Sequence, residues 1–168
     1  LLFPNAEVTM EKKNENAKPE TNESGAAFEK LGNLVKPVDI RVVDDVYANR
    51  FLIETILGDA YVCEGAGSSA EMFRTLLRKK TRLILLDLMM PFENGFEALE
   101  KLKADPSLKD IPVIVVSAKD SREDVVRAMG LGAADYVVKP VEEGLLLRKI
   151  RKILGDQEGM PAFVPPAG

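Results

Sequence analysis

Four apolar runs in this chain end on polar residues whose chemistries complement one another. Val42-Val43 runs into Asp44-Asp45, Leu83 to Leu86 into Asp87, Val113 to Val116 into Ser117, and Val137-Val138 into Lys139. If these ends meet, three carboxylates stand close together, and they stay ionised only with a cation among them. Oxygen ligands of this kind suit Mg²⁺, which keeps several waters and commonly bridges to a phosphoryl oxygen. The lysine adds a positive point charge and the serine hydroxyl a hydrogen bond, and phosphoryl transfer asks for these parts. A carboxylate is also an accepted covalent acceptor of a phosphoryl group. Asp87 is the candidate, since it stands alone where Asp44 and Asp45 form a pair. Singly, each residue has an ordinary reading: a solvated turn for Asp87, helix caps for Asp44-Asp45 and Ser117, a surface charge for Lys139. Their joint placement carries the argument.

That placement depends on the elements around them. Leu83 to Leu86 and Val113 to Val116 are short unbroken apolar runs, the pattern of parallel strands covered on both faces. Ile40 to Val43, Tyr61 to Cys63 and Ala134 to Val138 read as three further strands. Helices are expected over Val46–Leu57, Ala70–Lys79, Asn94–Lys103, Ser121–Met129 and Val141–Leu154. In the first, Phe51, Leu52, Ile56 and Leu57 are read as the apolar face. Glu64 to Ser69 reads as a Gly- and Ser-rich loop, with Ser68 or Ser69 as helix N-cap. Asn94, with Glu97 three residues on, resembles a capping box. Strands alternating with helices argue for α/β architecture, a doubly wound five-stranded parallel sheet flanked by five helices. In such a sheet every strand's carboxyl end lies on one edge, where open α/β folds bind ligands.

Composition narrows the chemistry further. The 168 residues contain no histidine, which removes histidine-based acid–base catalysis, Ser-His-Asp triads and histidine-ligated metals. A single cysteine, Cys63, excludes an internal disulfide framework and fits a reducing, cytoplasmic setting. Cys63, Met89 and Met90 are read as packing residues, and the Val125-Val126-Met129 face as core. The net charge of −4, without a basic run, gives no reason to expect direct nucleic-acid binding. No apolar stretch is long enough to span a membrane. Residues 1–37 are polar and charged over most of their length and read as a disordered or partly helical extension, 38–154 as the domain, and 155–168 as a tail or linker. Residue 1 is leucine rather than methionine, which leaves room for chain before it.

Asp44-Asp45, Asp87-Leu88-Met89-Met90-Pro91 with Gly95, Ser117-Ala118 and Gly132 through Lys139-Pro140 together resemble the receiver domain of two-component response regulators. The resemblance covers about residues 38–154 and implies the strand order 2-1-3-4-5. It implies that Asp87 takes a phosphoryl group from a phosphohistidine on a partner, a histidine kinase or histidine phosphotransfer protein. A chain without histidine cannot supply that donor itself. It also implies Mg²⁺ held by Asp45 and Asp87 directly, by Asp44 through water, and by the backbone carbonyl of Met89. Lys139 would pair with the acyl phosphate, Ser117 would hydrogen-bond a phosphoryl oxygen, and Tyr136 would swing inward behind it. The Lys139–Pro140 bond is expected to be cis. The output would be a shift of the face made by the fourth helix, fifth strand and fifth helix, read by another protein, an output domain or a second copy.

Some positions depart from the common pattern. Met89 and Lys119 lie two residues after Asp87 and Ser117, at positions that tune dephosphorylation in the family, and Glu93 replaces a more usual apolar residue. A haloacid dehalogenase-like phosphohydrolase would need a second aspartate where Met89 stands. A flavodoxin would need a hydroxyl-rich loop in place of Asp44-Asp45. A receiver-like interaction module that works without phosphorylation is the other alternative. The expected class is a signalling phosphoacceptor rather than an enzyme.

Overall fold

Val, Ile and Leu dominate the segments that become strands in the computed structural model, which describes residues 38–91 and 94–156. The N-terminal extension, Glu93 and nearly all of the tail lie outside the described residues. The strands are β1 (Val38–Val43), β2 (Cys63–Ala66), β3 (Thr81–Leu86), β4 (Val113–Ser117) and β5 (Asp135–Val138). All pair in parallel, in the order β2-β1-β3-β4-β5. The described helices are α1 (Tyr47–Leu57), α2 (Ser69–Leu76), α3 (Gly95–Ala104), α4 (Arg122–Gly130) and α5 (Glu143–Leu154). This is the expected doubly wound fold.

Each face of the sheet has its own core. Ile40, Val42, Leu83, Leu85, Ile114, Val116 and Val137 meet Ile53 and Leu57 of α1 and Leu146 and Ile150 of α5. Alternate strand residues, including Val43, Ile84, Leu86, Val113, Val115 and Tyr136, meet α2, α3 and α4 through Met72, Phe96, Leu99, Leu102 and Ala128. Successive strand side chains point to opposite faces, so a strand buried on both sides must be apolar throughout. Asp87 follows β3, the central strand, and is therefore carried to the middle of the carboxyl edge.

Three expectations are corrected. Helix α1 buries Ile53 and Leu57, four residues apart on one face, while Phe51 and Leu52 are 57% and 51% exposed. Apolar residues surround much of this helix, so spacing alone does not select the inner face; Phe51 instead stacks on Tyr47, with ring centroids 6.1 Å apart. Second, β2 lies later than Tyr61–Cys63 and takes up part of the expected loop. The Tyr61 amide closes a turn onto the Leu57 carbonyl, and Gly65 and Ala66 pair with Val42 and Val43. A side chain at Gly65 would sit 2.6 Å from Glu54 Oε1 of α1, so a small residue permits the strand there. Third, Val126 and Met129 are exposed rather than core, because α4 fully buries only Ala128; Met89 is exposed as well, on the loop after β3.

Capping follows the sequence closely. Ser68 accepts from the Glu71 amide, Asn94 from the Phe96 amide, and Ser121 from the Asp124 amide.

Candidate functional site

The first strand ends in Asp44, whose side chain is almost fully buried yet well partnered. Its Oδ1 accepts from the Val46 amide at 2.8 Å, so it does open the turn into α1. Asn49, one helical turn on, donates to both carboxylate oxygens at 3.2 and 3.1 Å. Lys139 Nζ lies 2.6 Å from Asp44 Oδ2 and 2.8 Å from Asp87 Oδ2. Asp87 is 5% exposed, and its Oδ1 accepts from the Met89 amide at 3.0 Å. Its own amide donates to the Val43 carbonyl at 2.9 Å, which extends the β1–β3 pairing by one residue and fixes the height of the carboxylate above the sheet. Among the described residues Asp45 has no hydrogen-bond or ion-pair partner.

One carboxylate oxygen from each of Asp44, Asp45 and Asp87 lies within 4.8 Å of the others. Against three negative charges stands one ammonium. Burial works against the charge on Lys139, but hydrogen bonds to Asp44 and Asp87 outweigh it and raise the amine's pKa. A compact oxygen-only cluster with a carboxylate left unpaired fits a hard divalent cation such as Mg²⁺.

Ser117 and Tyr136 complete the arrangement. Ser117 is fully buried at the end of β4; its hydroxyl accepts from the Lys119 amide at 3.3 Å and its carbonyl from the Lys139 amide at 2.9 Å. The Tyr136 ring already lies inside, in the core beneath α3 and α4, and its hydroxyl donates to the Lys119 carbonyl at 2.8 Å. Burial raises the Tyr136 pKa, and the nearby carboxylates of Asp124, Asp87 and Asp120 add to this. The Lys139–Pro140 peptide is cis.

Every residue singled out from the strand ends is thus brought to one edge. The sequence reading missed two supporting residues and quoted a third as part of the motif without a role. Asn49 holds the Asp44 carboxylate, and Arg50 donates from Nη1 to the Asp44 carbonyl. Both are polar residues one turn after an acid pair, a signal that spacing contains. The third is Gly95: a Cβ there would fall on the Asp87 carbonyl and 2.5 Å from Leu88 Cα. The first turn of α3 rests directly on the backbone that carries Asp87.

The model of the response regulator receiver domain matches residues 40–151. The chain belongs to this family. The receiver domain is 36% identical over 115 residues to response regulator PleD of Caulobacter vibrioides, covering 68% of this chain and 25% of PleD. It is 34% identical over 119 residues to protein PilH of Pseudomonas aeruginosa, covering 68% of this chain and 96% of PilH. The phosphate regulon transcriptional regulatory protein PhoB of the same species is 33% identical over 125 residues, 71% of this chain and 55% of PhoB. The chain therefore spans a quarter of PleD and about half of PhoB. Among solved structures, a CheY-like response regulator receiver domain protein from Methanospirillum hungatei superposes with a TM-score of 0.64 at 32% identity, over 73% of this chain and 98% of that one. The receiver domain of a signal transduction histidine kinase from Syntrophus aciditrophicus gives 0.65 at 27% identity, over 77% and 99%.

Proposed function

We propose that Asp87 is phosphorylated from a phosphohistidine on a partner histidine kinase or phosphotransfer protein, in the cytoplasm, and that the domain passes this state to a binding surface. The observation that carries the proposal is the Asp87 carboxylate: buried, central, held at one oxygen by Lys139 and at the other by the Met89 amide. In the transfer, an Asp87 oxygen bonds to phosphorus as the phosphorus–nitrogen bond of the donor breaks, and the electron pair leaves with the partner's imidazole. Lys139, 2.8 Å from Asp87 Oδ2, would balance charge on the phosphoryl oxygens. Asp45 and Asp87 would hold Mg²⁺, with Asp44 acting through water and the Met89 carbonyl contributing. When bound, the ion supplies charge neutralisation on the transferred group.

Ser117 would donate to a phosphoryl oxygen. Tyr136 is already inside, so phosphorylation would stabilise that position rather than create it, a shift between populations. The readout face is α4, β5 and α5, where Val126, Met129 and Val138 are exposed. That apolar exposure supports a protein partner, an output domain or a second copy there. Among the described residues no helix is long and apolar enough to cross a membrane.

Intact-mass measurement after incubation with Mg²⁺ and acetyl phosphate tests the proposal. One added phosphoryl group is expected on the wild type and none on Asp87→Asn. An unmodified wild type, or equal modification of the variant, overturns it.

A further inference from the structure

Lys119 is held from three directions, and each contact belongs to a different part of the switch. Its amide donates to the Ser117 hydroxyl at 3.3 Å, and its carbonyl accepts from the Tyr136 hydroxyl at 2.8 Å. Its ammonium reaches forward to α4, 3.2 Å from Asp124 Oδ1. We propose that Lys119 is a second cationic ligand of the phosphoryl group, kept in reserve by Asp124, and that phosphorylation draws it away from the first turn of α4. This rests on Asp87 being the phosphoacceptor.

The charge balance supplies the driving force. Asp44, Asp45 and Asp87 already outnumber Lys139, and an acyl phosphate carries up to two negative charges where the Asp87 carboxylate carried one. A bound divalent cation offsets part of this, and the remainder attracts a further cation. Arg50 is committed elsewhere: it donates to the Asp44 carbonyl and lies against Gly65 and Gly67. Lys119 is loosely held: its ion pair joins two partly exposed side chains, its ammonium lies 5.8 Å from the Phe96 ring centroid, and both kinds of contact are weak when exposed. It also starts close. Ser117 ends β4, which pairs directly with β3: Leu86 lies beside Val115, so Val116 is level with Asp87 and Lys119 follows three residues on, in the loop next to the end of β3. The flexible four-carbon stem of a lysine can reach back toward that end.

Helix α4 is built to register the loss. It fully buries only Ala128, fewer residues than any other described helix. Without Lys119, Asp124 keeps its bond from the Ser121 hydroxyl, at 2.7 Å, and Arg127 stays over the Phe96 ring, 4.2 Å from its centroid. The N-terminal turn of α4 would loosen while the helix middle stays attached.

A double-mutant cycle tests this, using Mg²⁺–beryllofluoride as the phosphoryl mimic and ¹⁹F NMR to read its affinity. Asp124→Asn should tighten binding by about 1.5- to fivefold, the range an exposed ion pair is worth. Lys119→Met should weaken binding, and in the Lys119→Met background Asp124→Asn should change nothing. Hydrogen exchange in the first turn of α4 should quicken on beryllofluoride binding in the wild type but not in Lys119→Met. An equal effect of Asp124→Asn in both backgrounds, or unchanged affinity in Lys119→Met, overturns the role of Lys119 while leaving the phosphoacceptor reading intact. A wild type that binds no beryllofluoride overturns both.

Discussion

Gly95 and Glu64 show how much of this site depends on residues that perform no chemistry. A methyl group at Gly95 meets backbone on two sides, at Asp87 and Leu88, and neither can rotate away as a side chain could. Gly95→Ala should therefore cost about 1–3 kcal/mol as an overpacking change, seen as a lower urea midpoint. It should also weaken beryllofluoride binding, because relief requires moving the Asp87 carbonyl. Glu64 acts at a distance from the site. Arg41 lies fully buried in the middle of β1, with Glu64 Oε1 of β2 3.4 Å from its Nη1, and none of its guanidinium nitrogens has a hydrogen-bond partner among the described residues. Partial burial works against the Glu64 charge, but Lys79 and Arg41 together outweigh it and lower the carboxyl's pKa. Removing that charge leaves a buried cation uncompensated, and because Glu64 itself is partly exposed, Glu64→Gln should destabilise by about 1–2 kcal/mol, below the cost of breaking a fully buried pair, measured by denaturant unfolding at neutral pH. Since the folded pKa is depressed, this contribution is present above the unfolded value near 4.5 and is lost as pH falls below it.

At the scale of elements, Helix α1 separates what sequence can tell from what it cannot. Phe51 and Ile53 are both large and apolar, yet one is 57% exposed and the other 2%. Ile53→Ala should cost about 2–5 kcal/mol by opening a cavity under α1, whereas Phe51→Ala should fall within about 1 kcal/mol of the wild type, as expected for a surface residue. Thermal unfolding of the two variants checks the contrast. Strands β3 and β4 were legible because burial on both faces demands unbroken apolar runs, and their ends then announced Asp87 and Ser117. The edge strand β2 was not, because Glu64 and Gly65 answer to partners distant in sequence, Arg41 and Glu54. The inner face of α1 was obscured by apolar residues on both its flanks. Asn49 and Arg50 were overlooked for the opposite reason: polar residues in a first helical turn look solvated until the acid beneath them is placed.

For the molecule as a whole, the absence of histidine moves the informative pH range to the alkaline side. Cys63 is the earliest group to act there. Its Sγ lies 3.7 Å from the Tyr61 carbonyl, and burial, helped by Glu54 and Asp39, pushes its pKa from 9.0 to about 12. Between those values the unfolded chain has lost the thiol proton and the folded chain still holds it, so each rise in pH favours unfolding. The contribution is complete below pH 9 and gone by about 12. Tyr61 and Tyr136 are raised from 10.0 mainly by burial, and Lys139 is raised from 10.5 by Asp44 and Asp87 against the opposing effect of burial. All three have the same sign as Cys63 and begin to act later, while Lys103, lowered from 10.5 by burial, acts with the opposite sign. Unfolding free energy measured in urea should therefore fall above pH 9, with the thiol, whose shift is large, setting the direction. Cys63→Ala should be less stable than the wild type at pH 7 yet lose stability more slowly between pH 9 and 10, so the two curves converge. Parallel curves across that interval would show that the thiol ionises alike in the folded and unfolded chains, and would place the alkaline loss on the tyrosines and Lys139 alone.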